Sequence, residues 1–410
     1  MWKILVLTLV AFAAAEKASY QNYKVFRAIP ITEDQVATIR GLETVSDSFN
    51  FWSEPSTVYK PVDIMVAPHM IPEFTELMRN AHISFESYID DVQSLIDVES
   101  AQTKSYAFDS AKYNTLEEIY AQLDQLAARF PGKVQVLAPG KTYEGRQIKG
   151  VKISFKANNP GIFIEGGIHA REWISPATVM YITHQLLTST NADVRALAES
   201  HDWYIFPSFN PDGYVYTHTT NRLWRKTRAP YGLLCYGTDP NRNWGYKWNT
   251  GGASSIPCTE TYAGPAPFSD IETKSMSDYI KSISDKFYAY ISFHSYSQLL
   301  LFPYGHTREH LENYKEQLDI GEKTIAALSK RYGTQYVTGN IAETIYVATG
   351  GSTDWVKATL KKPLAYTYEL RDRGRHGFIL PPNQIIPTGE ETLDSLVAMF
   401  KAAKKYGYDK

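Results

Sequence analysis

The sequence has few of the features that would place it outside ordinary globular proteins. Its 410 residues include only two cysteines, and its formal net charge is −2. Such a balance argues against a broad electrostatic surface for nucleic acid. Beyond the N-terminus, no apolar run approaches the length of about 18 residues that spans a membrane, so we expect no membrane partner. The chain also lacks repeats, low-complexity tracts and the Gly-x-Ser-x-Gly elbow of many serine hydrolases.

The N-terminus is typical of a secretory signal peptide. Lys3 precedes an apolar run over residues 4–12, and three alanines follow that run. A charged start, a short hydrophobic stretch and a small-residue cleavage site characterise such peptides. We therefore expect residues 1–15 to be removed and the protein to be secreted. A buried N-terminal helix is the alternative.

The two cysteines, Cys235 and Cys258, suit a single disulfide. An even cysteine count in a secreted chain favours pairing. The bond would close a loop rich in Gly, Pro and Asn and would stabilise the fold by about 3 kcal/mol. Two free buried thiols are the alternative.

Charge divides the chain into two parts. Residues 16–104 carry 7 basic and 14 acidic side chains, whereas residues 105–410 carry 34 basic and 30 acidic ones. Opposite net charges suggest two domains that dock on each other, although both charges could simply be solvated. We expect a small first domain and a large second one.

Hydrophobic periodicity predicts α/β structure in both parts. In the first, strands are expected at Tyr23–Ile31 and Asp63–Ala67, helices from Thr32 and Pro72, and a mostly helical linker over residues 84–103. The second part alternates helices and strands, which implies a sheet covered on both faces. Its first helix follows a capping box at Thr115–Glu118, and Thr388 and Glu391 open its last helix. Its strands are expected at Lys149–Phe155, Gly161–Glu165, Trp203–Pro207, Phe287–Phe293 and Leu364–Tyr368.

Three of these strands run into ionisable residues. His169 and Glu172 follow the strand that ends at Glu165, and the other two strands lead to His294 and Glu369. In open α/β sheets, ligands bind beyond the carboxyl ends of the strands. These side chains can therefore converge although they are far apart in sequence.

Two imidazoles and one carboxylate form a catalytic zinc site with one open position. His169 and Glu172 lie three residues apart and can bind one ion from a single turn, with His294 as the third ligand. For an isolated His-x-x-Glu pair, a surface salt bridge is the usual explanation, and placement at strand ends favours the metal site. Glu369 would then be free to take a proton from the metal-bound water. The alternative role for Glu369 is a salt bridge to Arg371 or Arg373.

Arginines and one tyrosine near these strands are further candidates for binding. Arg222, Arg225 and Arg242 lie in Asn-rich, aromatic loops. A guanidinium can hold a carboxylate by two hydrogen bonds or stabilise an oxyanion, although solvated surface arginines are also common. Tyr346 precedes Gly350 and Gly351, as in a mobile loop that closes over a substrate.

Taken together, these motifs resemble the pro-metallocarboxypeptidases of the A/B family of animal digestive type. The resemblance covers nearly the whole chain after the signal peptide. The Cys235–Cys258 separation of 23 residues fits the family. The resemblance is carried by six motifs that occur in the family's order: Gly166–Trp173, Asn221–Arg228, Asp239–Trp244, Ser292–Leu301, Ile345–Trp355 and Glu369–Pro381.

The resemblance implies a large mixed β-sheet flanked by helices, preceded by a small α/β propeptide domain with an antiparallel sheet. It implies one zinc ion on His169, Glu172 and His294, with Glu369 as the general base. It further implies that Arg225 stabilises the oxyanion and that Asp239 orients His169. The terminal carboxylate would be bound by Asn241, Arg242 and Tyr346. The rest of the substrate would be bound by Arg171, Arg222 and Tyr296.

The side-chain pocket indicates A-type specificity. Thr353 matches the position at its floor, where an acidic residue would select Lys or Arg termini. The other matching positions are Leu301, Gly305, Ile341, Ala348 and Thr367. A neutral, mainly apolar pocket implies aromatic or aliphatic C-terminal residues. A B-type enzyme and an inactive peptide-binding homologue are the alternatives.

The resemblance also implies a zymogen. Residues 16–104 would be the propeptide that inhibits the catalytic domain of residues 105–410. A trypsin-like protease would cut at Lys104, or alternatively at Lys112. The substrates would be peptides and proteins with a free C-terminus, the enzyme a monomer, and the destination extracellular, such as a digestive lumen.

Overall fold

The chain begins with a small α/β domain. A computed structural model describes residues 17–46, 48–100 and 108–409, so the predicted signal peptide and the predicted cleavage site at Lys104 lie outside the described residues. Up to Ser100, the elements are β1 (Lys24–Ile29), α1 (Glu33–Val45), β2 (Phe49–Phe51), β3 (Val62–Val66), α2 (Ile71–Asn80), β4 (Ser84–Ile89) and α3 (Val92–Ser100).

The strands of this domain form an antiparallel sheet in the order β2-β3-β1-β4. Its buried core includes Phe26, Ile64 and Phe74. Helix α1 begins where the cap was predicted, because the Thr32 hydroxyl accepts a hydrogen bond from the Gln35 amide. This antiparallel sheet with its buried apolar core agrees with the small α/β domain that was expected for the first part of the chain.

One expectation for this domain was wrong. Residues 84–89 form the edge strand β4, and the helix begins only at Val92. Strand β4 has exposed polar residues such as Ser84 and Glu86, so its sequence shows no clear apolar alternation. Pairing with β1 determines its structure. The rest of the predicted linker, residues 101–103, lies outside the described residues.

The second part is the large domain. Its elements are α4 (Leu116–Arg129), β5 (Val134–Lys141), β6 (Gln147–Ile153), β7 (Gly161–Gly166), α5 (Ile174–Thr188), α6 (Ala192–Ser200), β8 (Asp202–Phe206), α7 (Pro211–Thr219), β9 (Pro230–Tyr231), β10 (Cys235–Tyr236), α8 (Ile271–Ser282), β11 (Phe287–Ser295), β12 (Leu299–Phe302), α9 (Tyr314–Tyr332), β13 (Val337–Asn340), α10 (Ile341–Thr344), α11 (Ser352–Thr359), β14 (Leu364–Leu370) and α12 (Ile385–Lys405).

Eight strands form one mixed sheet in the order β13-β12-β14-β11-β7-β8-β6-β5. Its centre is parallel, through β14, β11, β7 and β8, whereas β12 pairs antiparallel with β14. Separate hydrophobic clusters cover the two faces; Leu186 and Leu396 belong to one and Phe206 and Trp355 to the other. The sheet is therefore covered on both sides, as the alternating pattern predicted.

Several boundaries in this domain differ from the expected ones. Strand β6 covers Gln147–Ile153, two residues earlier than the predicted Lys149–Phe155. His294 and Glu369 lie inside β11 and β14, and not just beyond their ends. Helix α12 begins at Ile385, three residues before Thr388. Pro387 lies in its first turn, where an amide hydrogen has no helical partner to lose. The Thr115 capping box is present as predicted.

The two domains share an apolar interface. Trp52 and Ile96 of the small domain pack with Leu223, Tyr296 and Phe378 of the large one. The predicted Cys235–Cys258 disulfide is present. Within the described ranges, we find no helix with the length and apolarity needed to cross a bilayer.

Candidate metal centre

Two histidines and a glutamate meet at the carboxyl edge of the parallel strands. His169 and Glu172 follow β7, and His294 lies near the end of β11. All three are buried, and one donor atom from each lies within 4.8 Å of the others. The turn after β7 passes through Gly167, whose φ of 66° is in the left-handed region that glycine tolerates. The structure thus brings together the three residues that the strand-end pattern singled out.

The ring nitrogens of the histidines point to a common centre. His169 Nε2 donates to Asp239 Oδ1 at 3.0 Å, which leaves a lone pair on Nδ1. That Nδ1 lies 3.1 Å from Nδ1 of His294 and 2.8 Å from Glu172 Oε1. Lone pairs this close repel unless a cation or a proton lies between them. Because two imidazoles and a carboxylate are a common ligand set in zinc hydrolases, these residues fit a zinc ion.

Glu369 lies next to this group. It stands opposite His294 in the register of β14 and β11. It also shares a cavity of about 200 Å³ with His169 and Glu172. Burial raises the pKa of Glu369 to about 8, although His294 and Arg225 act to lower it. A carboxyl group that titrates near neutral pH can both accept and return a proton.

The alternative for Glu369, a salt bridge to a neighbouring arginine, has no support in these contacts. Arg371 Nε donates to Glu391 Oε1 at 2.7 Å. Arg373 Nη2 donates to the carbonyl oxygen of Gln335 at 2.8 Å. Both guanidinium groups therefore have other partners.

Asp239 connects His169 to Arg225. Its Oδ2 accepts from Arg225 Nη2 at 2.7 Å, while its Oδ1 faces His169. Burial works against the charged form, but Arg225, His169 and Arg242 hold the pKa of Asp239 well below its usual value. A carboxylate that stays ionised can orient the imidazole and the guanidinium at once.

Asn241, Arg242 and Tyr346 line a second, smaller cavity of about 50 Å³. Among the described residues, Arg242 Nη2 has no hydrogen-bond partner although it is buried. An unpaired guanidinium N–H in such a place suits a carboxylate. Burial raises the pKa of Tyr346, so its phenol keeps a proton to donate.

The predicted specificity residues line the same small cavity. Thr353 on α11 lies beside Thr367 on β14, with their hydroxyl oxygens 2.8 Å apart. The remaining predicted positions also belong to this lining: Leu301, Gly305, Ile341 and Ala348. Among the described residues that line the cavity, the acidic and basic ones are Arg242, Asp354 and Glu369. Asp354 accepts hydrogen bonds from the Gly305 amide. The structure therefore places the six predicted pocket residues together.

The small domain contacts the three outer residues that were expected to bind substrate. Arg171 Nη1 donates to Asn50 Oδ1 at 3.1 Å. The Tyr296 hydroxyl donates to Asp63 Oδ2 at 2.6 Å. Arg222 pairs with Glu99 through two hydrogen bonds of 2.6 and 2.8 Å. The first domain thus lies across the cleft, over the candidate metal centre.

Sequence reasoning missed the residues of the small domain that make these contacts. Glu99, Asp63 and Glu54 had no motif around them, and only the net negative charge of the domain hinted at them. Glu54 lines the cavity above the metal centre. Lys60 Nζ donates to the carbonyl oxygens of Thr344 and Ile345 at 2.7 and 3.0 Å. The small domain therefore also holds the loop that carries Tyr346, which was expected to be mobile.

Comparison with known proteins gives the family. A sequence profile described as zinc carboxypeptidase matches residues 119–395, which is more than half of the chain. The chain belongs to the zinc carboxypeptidase family. A second profile, described as carboxypeptidase activation peptide, matches residues 26–99. The small domain is therefore the activation peptide of a zinc carboxypeptidase.

Relatives match over both domains of this zinc carboxypeptidase. The chain is 50% identical to zinc carboxypeptidase A 1 of Anopheles gambiae, covering 96% of this chain and 93% of the relative. It is 39% identical to carboxypeptidase A1 of Mus musculus over 100% of both chains. The crystal structure of carboxypeptidase A from Helicoverpa armigera superposes with a TM-score of 0.85 at 29% identity, covering 94% of this chain and 98% of that one.

These findings confirm several of the sequence predictions for this zinc carboxypeptidase. It is an A-type metallocarboxypeptidase zymogen with zinc as its cofactor, and its own propeptide and peptide substrates are its partners. The predicted fold class is also confirmed. The individual residue roles and the domain boundaries stay predictions.

Proposed function

We propose that the mature enzyme removes aromatic or aliphatic residues from the C-terminus of peptides and proteins. The observation that carries this proposal is the small cavity, whose lining includes the neutral pair Thr353 and Thr367 with their hydroxyl oxygens 2.8 Å apart. Arg242 and Tyr346 line the same cavity. A cavity with a carboxylate-binding group, in which Asp354 is engaged by the Gly305 amide and the residue at position 353 is a neutral threonine, suits a free C-terminal residue with an apolar side chain.

In this mechanism, His169, Glu172 and His294 hold the zinc ion. A bound zinc ion lowers the pKa of water and polarises a carbonyl oxygen. Glu369 takes the proton from the attacking water and passes it to the leaving amine. Its burial and its place in the same cavity as His169 and Glu172 support this role.

Arginines complete the mechanism. Arg225 donates to the carbonyl oxygen as negative charge develops there, while Asp239 keeps its guanidinium in place. Arg242, Asn241 and Tyr346 bind the terminal carboxylate. Arg171, Arg222 and Tyr296 become available to the upstream part of the substrate once the activation peptide leaves.

The test of this function combines hydrolysis with metal analysis. We expect the trypsin-treated full chain to release Phe from a blocked dipeptide that ends in Phe, and to contain one zinc ion per chain before and after trypsin. A strong chelator should abolish both the activity and the bound zinc, and added zinc should restore them. Activity that persists after the zinc is removed would refute the proposed mechanism.

Replacement of the pocket floor should change the specificity. In Thr353→Asp, a buried carboxylate would attract a Lys or Arg side chain and repel an acidic one. We expect kcat/KM for Lys-terminated peptides to rise at least about tenfold and that for Phe-terminated peptides to fall by a similar factor. The measurement compares peptides that end in Phe, Lys and Glu. Thr353→Asn is the matched control without charge, and the same shift in both variants would contradict a charge-based pocket.

Activation is proposed to occur at Lys104. Its alternative, Lys112, is only 4% exposed and its Nζ lies 2.8 Å from Glu118 Oε1. A protease needs an extended, accessible segment, so Lys112 is a poor site in the folded zymogen. N-terminal sequencing after limited trypsin treatment should give a large fragment that begins at Ser105. A fragment that begins at Tyr113 would reverse this assignment.

Secretion is part of the same proposal. The N-terminal pattern supports removal of residues 1–15 and export as a monomeric zymogen, which a trypsin-like protease then activates in an extracellular space such as a digestive lumen. Mass spectrometry of protein from the culture medium should find Glu16 at its N-terminus.

A further inference from the structure

Two adjacent leucines stand at the tip of the short β9–β10 hairpin. Leu233 is 97% exposed and Leu234 is 87% exposed. Neighbouring Tyr236 is also partly exposed, at 40%. Single exposed apolar residues are common, but a fully exposed pair beside an aromatic ring marks a contact surface.

The hairpin that carries this tip is held firmly at its base. Its two strands pair Cys235 with Tyr231, and the disulfide ties Cys235 to Cys258. The Tyr231 hydroxyl donates to the buried carboxylate of Asp270. A rigid base keeps the leucines in one place, so that a ligand which covers them has little conformational entropy to lose.

An aromatic platform connects the hairpin to the segment that carries Arg225. The Arg228 guanidinium lies 3.7 Å from the ring centroid of Tyr216, 4.5 Å from that of Trp224 and 4.9 Å from that of Tyr236. Trp224 directly precedes Arg225 in the chain. The aromatic residues around Arg228 therefore link the hairpin to Trp224, which lines the same cavity as Leu234.

The activation peptide borders this surface in the zymogen. A cavity of about 360 Å³ has Leu234, Leu223 and Trp224 on one wall, and Tyr23 and Phe49 of the activation peptide on the other. When the activation peptide leaves, the second wall disappears. What then remains is an open groove in which Leu223, Trp224, Leu234 and Tyr236 lie beside the polar residues Asn221, Lys226 and Glu260.

We propose that Leu233 and Leu234 form an outer subsite that binds apolar side chains of a polypeptide substrate, upstream of its C-terminal residue. This subsite would favour long apolar peptides over short ones. The inference rests on the proposed function. The occupant is a polypeptide because Leu223, which lines this groove, packs in one cluster with Tyr296, a residue proposed to contact substrate.

The test uses the trypsin-activated full chain with Leu233→Ser, Leu234→Ser and the double variant. Substrates are a blocked dipeptide ending in Phe, and two peptides of about ten residues ending in Phe, with either Leu or Ser at the upstream positions. Ten extended residues span roughly 30 Å, against about 7 Å for the dipeptide. Val337→Ser, which alters a half-exposed residue on β13, is the matched control.

We expect the double variant to lose about tenfold in kcat/KM on the Leu-rich peptide, because part of the burial of two leucines is lost. The Ser-rich peptide, the dipeptide and the Val337→Ser control should be unchanged. Equal losses on all three substrates, or no loss on any, would overturn the subsite. So would unchanged peptide kinetics together with lost binding to phosphatidylcholine–phosphatidylserine vesicles, since the tip would then be a membrane contact. A wild-type enzyme that releases Phe from none of the three substrates would refute the proposed function, whereas the subsite alone fails if the wild type cleaves them and the double variant shows no selective loss.

Discussion

Glu369→Gln should reduce kcat by roughly 10²–10⁴-fold, the usual contribution of a general base. The amide keeps the size of the side chain but cannot accept the proton from water. Because Glu369 is outside the group of His169, Glu172 and His294, the variant should still bind one zinc ion per chain. Steady-state kinetics with a Phe-terminated peptide and zinc analysis on the same sample test this.

The pH profile gives an independent check on Glu369. A base must be deprotonated to act, so activity should rise with pH as Glu369 loses its proton. Burial raises the pKa of Glu369 to about 8, and the charge of a bound zinc ion favours the carboxylate, so the midpoint should not lie above that value. This limb should be absent in Glu369→Gln. Exposed Glu309→Gln serves as the control, and wild-type kcat in Glu369→Gln would remove Glu369 from the mechanism.

Glu99→Ala should lower the affinity of the activation peptide for the enzyme by roughly 10²-fold. The side chains of Glu99 and Arg222 are each only 1% exposed, and they form a two-point ion pair. Removing one partner of a buried pair leaves an unpaired charge, which costs about 3 kcal/mol or more. The inhibition constant of the separate activation peptide against the mature enzyme measures this change.

A neighbouring carboxylate provides the matched control for Glu99. Asp97 lies on the same helix, α3, but is exposed, so Asp97→Asn should leave the inhibition constant within about twofold. Arg222→Ala in the enzyme should reproduce the loss seen with Glu99→Ala. If both activation-peptide variants inhibit as strongly as the wild type, the ion pair does not hold the zymogen together.

Several features were predictable because they depend on local chemistry. The Thr115 capping box is satisfied by residues three positions apart, and the His169–Glu172 spacing suits one metal ion from one turn. Because the sequence has only two cysteines, Cys235 and Cys258 could form only one intramolecular disulfide. The edge strand β4 was mispredicted as helix because its identity depends on pairing with β1, some 60 residues earlier in the chain.

By itself, the sequence determined which residues could serve as metal ligands, base and carboxylate-binding groups, since these roles follow from side-chain chemistry and from placement at strand ends. Only the tertiary structure decided that His294 and Glu369 meet side by side, because strand register is a long-range property. It alone also decided that Glu99 forms an ion pair with Arg222 and that Leu233 and Leu234 stay exposed. Burial and charge pairing arise from packing between distant segments, which no local pattern encodes.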